Sequence, residues 1–527
     1  MATLNVGSMG ARKQRNHGVR SDRNSKSATL SLCMIVKDEQ AWLGRCLQSV
    51  KGCVDEIVVV DTGSTDRTVE IAKGFGARVY FHPWEGDFAK HQNQAIDHAT
   101  GDWILRMDAD EVLAADSCKK IREAIEDDKA DAFFINYLSF FNNGASCLRE
   151  SKIRIFRNLD EIRYQGAVHE QLTGYRHPRT LNVDTYHYGY DLNGKEKERK
   201  LRRTTALIKK EIDKDPKNYF QHLCLAQCYA VNDQYPESIE QAFIGLRLMN
   251  EFNVEGHEKL WALYMVSSGF LKIGDLQEAE KHAKEAVAIS PDHLDCLFVL
   301  TVVYHMRKDW EKLYETALGF LKVREALDHA PEEYAFSSFN MSGETWRVHI
   351  ALGDFYLDRK DMESACRHFD KATLLTRTPL ECHQLIGGCY RRAGLWDAAK
   401  RHYELALRYN VHDNTSAYGL AVSLKLSGDE QTYLDFVRRF EDSKVNHAGL
   451  CIEKGIVSLK DGAYDRAVEY FEKAQALDPN WTRGSSHTSD GWKREQGVFP
   501  ETGDNDEAIT PARDQERPPC RFNSLIV

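Results

Sequence analysis

After about residue 200 the sequence copies itself, and no other feature restricts the fold as much. Gly353, Tyr356, Ala365, Phe369 and Ala372 return 34 positions later as Gly387, Tyr390, Ala399, Tyr403 and Ala406, with Trp346 leading the first copy. In the same phase lie Gly455, Ala467, Phe471 and Ala474, closed by Pro479. An earlier block runs in its own register through Leu260, Phe270, Ala279, Ala283, Ala286 and Pro291, then Thr301 and Tyr304; another starts near Tyr219, Ala226 and Tyr229. A unit of this length cannot bury its apolar face alone, so copies must stack into an all-α solenoid. Small residues let paired helices approach, and aromatics fill the layer between copies. The copy between Ala421 and Ser443 is degenerate, and about 18 extra residues interrupt the array near 316–340.

Upstream the texture differs. "LSLCMIV" (30–36), "DEIVVVD" (55–61), "RVYFH" (78–82) and "DWILRMD" (102–108) read as strands, separated by amphipathic stretches around 38–50, 66–75 and 88–99. That alternation predicts βαβ units and a mostly parallel, Rossmann-like sheet. "AFFINYLSFF", "SKIRIFRN", "IRYQGAVHEQL" and "TLNVDTYHYGY" follow with no long helix between them, so a partly antiparallel second half is expected. The domains predicted are a disordered arm at 1–28, an α/β domain at 29–200, the repeats at 201–480 and a disordered tail at 481–527. The apolar "SLIV" at the end of the tail is a candidate docking peptide.

Bulk properties exclude several classes. A net charge of −10 argues against nucleic acid as a main partner. No run of about 18 apolar residues is present, so no membrane span is expected. The first 28 residues carry Arg and Lys without an apolar segment, unlike a secretory leader. Thirteen scattered cysteines, including the pair Cys224 and Cys228, read as small buried residues of a reducing, cytoplasmic compartment.

Parallel sheets bind ligands at the carboxyl ends of their strands. Those ends read "VKDE" (36–39), "DTGSTDRT" (61–68) and "DADE" (108–111), so acids and hydroxyls converge on one edge. Asp61 and Ser64 suit a nucleotide's base and ribose, or equally a capped turn with Thr65 or Asp66 starting the helix. Asp108 and Asp110 are two apart and so project to one side of a strand; two hard oxygens suit Mg²⁺ or Mn²⁺ shared with a substrate diphosphate. Glu111 points away from them and takes a structural role, fixing the turn. Phe140, Phe141 and Trp84 are core residues or the lining of an acceptor groove.

"SLCMIVKDE", "DEIVVVDTGSTDRT", "WEGDFAKHQNQAI" and "GDWILRMDADE", in that order over about 160 residues, resemble family 2 glycosyltransferases of the GT-A fold. The repeats resemble tetratricopeptide repeats. Lipopolysaccharide-core glucosyltransferases are similar, as are the sublancin-type peptide S-glycosyltransferases that join such a domain to a tetratricopeptide array. The resemblance implies that Val36, Lys37, Glu39 and Asp61 hold uracil and ribose, and that Asp108 and Asp110 hold metal and diphosphate. It places Lys90 and Asn93 at the donor. Relatives often carry Arg before that Asn, whereas Gln92 stands here, which leaves Lys90 or His91 to supply the missing charge.

Two later motifs bear on mechanism. An inverting transfer needs a base for the acceptor; by resemblance, "GAVHEQL" supplies Glu170 as that base and His169 as a sugar or phosphate contact. "YHYGY" supplies His187 as a further metal ligand. The other reading pairs Glu170 with an arginine such as Arg154 and leaves His187 structural. The implied function is a metal-dependent inverting glycosyltransferase with a nucleotide-sugar donor, UDP-linked, and a protein, peptide or glycan acceptor. The repeats then recruit the acceptor or form a homodimer. The alternative is a non-catalytic tetratricopeptide adaptor carrying a degenerate GT-A domain.

Overall fold

Leu30–Val36 (β1) is buried along nearly its whole length, as a strand covered on both faces must be. In the computed structural model, which describes residues 27–127, 129–141, 146–189, 194–329 and 341–478, it lies inside an eight-stranded sheet. The arm through residue 26, the tail from 479 with its "SLIV" end, and Tyr190 lie outside the described residues.

Chain order continues with α1 (Leu43–Ser49), β2 (Glu56–Asp61), α2 (Thr68–Gly74), β3 (Arg78–Phe81), α3 (Phe88–His98), β4 (Trp103–Arg106), β5 (Glu111–Leu113) and α4 (Ser117–Ala124). Then come β6 (Ala132–Phe141), β7 (Ser146–Arg157), β8 (Arg163–Gln165), β9 (Gln171–Thr173), β10 (Pro178–His187), α5 (Gly194–Lys214) and α6 (Tyr219–Val231). The sheet order is β3-β2-β1-β4-β7-β6-β10-β5. The β3-β2-β1-β4 part is parallel, β7 runs antiparallel to both β4 and β6, and β5 runs antiparallel to β10. Alternate residues of β1 feed opposite cores: Leu32 and Met34 pack with Leu43, Val59 and Trp103, while Cys33 packs with Val58, Ile96 and Phe156.

Two expectations are corrected. The run "DWILRMD" leaves the sheet at Arg106, so residues 107–110 are a turn and strand periodicity does not orient Asp108 and Asp110. "IRYQGAVHEQL" is a small hairpin of β8 and β9, with Val168, His169 and Glu170 in its connection.

The repeats are helix pairs such as Thr345–Asp358 with Met362–Leu375 and Pro379–Arg392 with Trp396–Tyr409. Ala365, Ala372, Ala399 and Ala406 are wholly buried, and a Cβ at Gly353 would overlap the Phe369 ring. In the degenerate copy the second helix shrinks to Glu430–Arg439. At the interruption one helix lengthens to Trp310–His329, and 330–340 lie outside the described residues. Helix α5 runs across residue 200, and no helix among the described residues is long and apolar enough to cross a membrane.

Candidate active site

Two loops at the carboxyl edge are laced together by their own polar groups. Ser64 Oγ accepts from the Asp38 amide at 2.9 Å, while Asp38 Oδ1 accepts from the Thr65 amide at 2.7 Å. Thr68 Oγ1 accepts from the Glu39 amide at 2.7 Å and Asp66 Oδ2 from the Gln40 amide at 3.0 Å. Asp38 takes a left-handed backbone, φ 56°, in this turn, and α1 starts at Leu43. The Val36 carbonyl is used twice, by the amide and hydroxyl of Thr62. Lys37 is exposed. Asp61 Oδ1 accepts from the amides of Gly63 and Ser64 at 3.1 and 3.0 Å, but its buried Oδ2 has no partner. An orphaned buried acceptor is costly unless a ligand donates to it.

The turn after β4 gathers the charges. Arg106 Nη1 donates to Asp108 Oδ2 at 2.7 Å and its Nη2 to Glu170 Oε1 at 3.1 Å. Glu170 therefore pairs with Arg106. Arg154, the partner expected from the sequence, donates instead to the fully buried Glu111 and lies 3.4 Å from Asp108. Burial works to raise the Asp108 carboxyl, yet the Arg106 charge beside it prevails and holds it below the ordinary carboxylate range. Burial lifts Glu170 above that range, with Arg106 opposing and Asp108 adding to the rise. Glu39 is pushed up to about 7, first by burial and then by the charges of Asp110 and Asp108. A carboxyl raised by two neighbouring carboxylates shares a locally negative region with them, which suits a cation.

Asp110 Oδ2 lies 3.3 Å from His187 Nε2. The other ring nitrogen of His187 meets Ser139 Oγ at 3.2 Å, which orients the imidazole toward Asp110. A Cβ at Gly189 would overlap Asp110 Oδ2 and come within 2.9 Å of His187 Nε2, so the missing side chain is what lets the Asp110 carboxylate lie there beside His187. Among the described residues no group of three or more His, Cys, Asp or Glu is placed to hold a metal alone. One carboxylate and one imidazole side by side do fit a divalent ion completed by substrate oxygens.

Other expected site residues stand apart from this group. Lys90 pairs with Glu85 at 2.6 Å on the surface. His91 is buried under Trp84, with ring centroids 5.2 Å apart. The positive side chain that lies against Gln92 is Arg106. Asn93 spends its side chain on β8, exchanging hydrogen bonds of 2.9 and 3.0 Å with the Tyr164 backbone. His169 is exposed with a left-handed backbone, φ 52°. Phe140 stacks on Tyr188 at 5.8 Å, and Tyr188 stacks on Trp42 at 6.0 Å, forming an aromatic wall beside His187 and Gly189. The side chain of Phe141 lies outside the described residues, and Trp84 packs on Phe88. Sequence reasoning missed Arg106 and Gly189, and saw in Gln92 only a lost charge. The available signals were an arginine inside an apolar strand run and a glycine two residues after a strand-end histidine.

A mixed sheet whose strand ends collect these acids and His187, continued by paired helices, defines the class: a ligand-binding α/β domain carried on helical repeats. Residues 31–208 match the family model for glycosyl transferase family 2 and residues 448–480 that for a tetratricopeptide repeat, so the chain carries a family 2 glycosyltransferase domain joined to such repeats. A TPR repeat-containing protein of Synechococcus elongatus is 45% identical over 143 residues, 27% of this chain and 35% of that protein. The SPbeta prophage-derived glycosyltransferase SunS of Bacillus subtilis is 27% identical over 242 residues, 44% of this chain and 57% of that one. The chain thus spans between a third and three fifths of these relatives' lengths. Among solved structures, a tetratricopeptide repeat protein of Parabacteroides merdae is 15% identical with a TM-score of 0.37, covering 50% of this chain and 94% of that one.

Proposed function

We propose that the chain is a metal-dependent inverting glycosyltransferase that moves a sugar from a nucleotide-sugar donor, UDP-linked, to a protein, peptide or glycan acceptor. The observation that carries this reading is the Asp110–His187 pair, seated where Gly189 lacks a side chain and backed by a largely buried Glu170 tied through Arg106 to Asp108. Asp61 Oδ2 accepts an N–H from the nucleotide base, beside Val36, Lys37 and Glu39. Mg²⁺ or Mn²⁺ bound at Asp110 and His187 would supply positive charge for the donor diphosphate. Glu170, raised by burial, takes the proton from the acceptor group as that group bonds to the anomeric carbon and the bond to the diphosphate oxygen breaks. His169 contacts the sugar, and Tyr188 and Phe140 offer it aromatic faces.

The resemblance of the sequence motifs to sublancin-type peptide S-glycosyltransferases and the repeats favour a polypeptide acceptor, with self-association as the other use of the array. All eleven cysteines with described side chains are free thiols, which supports a cytoplasmic setting.

Nucleotide release from a panel of UDP- and GDP-sugars, with Mg²⁺ or Mn²⁺ and with chelator, tests the reading on the wild type and Asp110→Ala. Metal-dependent release by the wild type alone supports it. No release and no metal-dependent nucleotide binding by the wild type leaves the chain a non-catalytic adaptor.

A further inference from the structure

Arg106 ends β4 with 8% of its side chain exposed, and it touches three separate segments. Asp108 comes from the turn that follows it, Glu170 from the connection between β8 and β9, and Gln92 from α3. With its carboxamide oxygen turned toward the guanidinium, Gln92 accepts from Nη2 at 2.6 Å and from Nε at 2.9 Å, and it is itself 1% exposed. A planar fork with five N–H groups can serve three acceptors at fixed angles, whereas an ammonium on a flexible stem cannot. The neighbouring guanidinium of Arg154 is engaged by Glu111, so it is not a ready substitute.

We propose that Arg106 is a positioning residue for the transfer reaction: its guanidinium sets Glu170 and Asp108 at a fixed separation, and Gln92 is the brace that fixes its plane. The inference rests on the glycosyltransferase reading, because it gives Glu170 an acceptor proton to take. It also accounts for a neutral side chain at position 92, where an acceptor is needed once the charge comes from β4. Arginine is longer than glutamine, so an arginine placed at 92 would carry its guanidinium into the space that Arg106 vacates.

The test is exchange of the two residues. Nucleotide release is measured with the donor sugar that the wild type turns over, giving kcat and donor KM, and thermal unfolding is followed in parallel. Arg106→Gln should lower kcat about 100-fold or more, the lower end of what a positioned base contributes. The exchanged chain, Arg106→Gln with Gln92→Arg, should recover at least about a tenfold part of that loss, roughly 1.4 kcal/mol of barrier. Gln92→Met, which leaves the charge in place, should cost less than Arg106→Gln. A purely structural Arg106 would give an exchanged chain whose Tm returns while kcat does not, and that result overturns the inference. So does a folded Arg106→Gln chain with wild-type kcat. If Arg106→Gln fails to fold, the exchanged chain decides, because wild-type-like kcat there still requires the guanidinium from position 92. A wild type that releases nucleotide from no UDP- or GDP-sugar refutes the underlying reading instead, and the inference with it.

Discussion

Gly189 has no left-handed backbone that would demand a glycine; what it provides is absence of a Cβ where Asp110 Oδ2 lies beside His187. Gly189→Ala should therefore leave the fold intact and cut metal-dependent nucleotide release by about tenfold or more, a barrier change of about 1.4 kcal/mol. Retention of full turnover, with an unchanged Tm, would show that nothing needs that space. Glu111 makes the opposite case. It is wholly buried against Arg154, so Glu111→Ala leaves that guanidinium only its longer contact to Asp108 and should destabilise the chain by about 3 kcal/mol. Denaturant melts should show that loss for Glu111→Ala and little for Asp110→Ala, whose side chain is partly exposed and which should lose activity instead. Equal losses of stability would refute the division of roles. At this scale the acids were legible, because carboxylates at strand ends need a reason to be there. Arg106 and Gln92 were not, because their meaning lies in a contact between α3 and β4 that spacing alone does not reveal.

Among the elements, short apolar runs located β1, β2 and β3 to within a residue or so; for β1 and the inner half of β2 the reason is that strands buried on both faces must be continuous in Val, Ile and Leu, while β3 is a half-exposed edge strand. The end of β4 was misplaced. "RMD" reads as a continued strand, yet Asp108 is drawn off the sheet by the guanidinium of Arg106, a pairing that periodicity does not encode. In the repeats the period fixed the helix pairs but gave no notice of a histidine ladder across them. His349 and His368 meet Nδ1 to Nδ1 at 3.0 Å, and one repeat later His383 and His402 meet at 3.2 Å. Such a pair holds only while at least one ring is neutral and accepts. Burial depresses His349, His368 and His402 to about 4, with His368 adding to the effect on His349, Lys371 and Arg367 on His368, and His383 and Arg401 on His402. Unfolded histidine titrates near 6.5, so between about 6.5 and 4 the unfolded chain binds more protons than the folded one. The histidines' contribution to stability is thus fully present above about 6.5 and drains away as pH falls toward 4. Thermal melts followed by helical circular dichroism should show Tm falling through that window. Replacing His349 and His402 by Gln, which hydrogen-bonds without titrating, should flatten the decline; an identical decline would remove the ladder as its cause.

For the whole molecule, the two domains meet at the residue before the motif that matters most. Val168 is buried with Ile208, Cys224, Leu225 and Cys228, and its carbonyl accepts from Gln221 Nε2 at 3.3 Å. On the other side of the same connection, the Ala167 carbonyl accepts from the Phe88 amide at 2.8 Å. The turn presenting His169 and Glu170 is therefore held between α3 and the first repeat helix, α6, and the repeats act on the catalytic domain before any acceptor is considered. A comparison of two leucines separates this coupling from general loss of stability. Leu225 on α6 and Leu420, deep in the array, are almost equally buried, at 4% and 5% exposure. Truncating either to Ala should cost about 2–5 kcal/mol through lost burial and a residual cavity. Only Leu225→Ala loosens the packing under Val168. At a temperature well below both unfolding transitions, it should lower kcat for nucleotide release several-fold while Leu420→Ala stays near wild type. Equal kcat values would mean that the Glu170 turn keeps its position without the repeats, and that the array serves the acceptor alone.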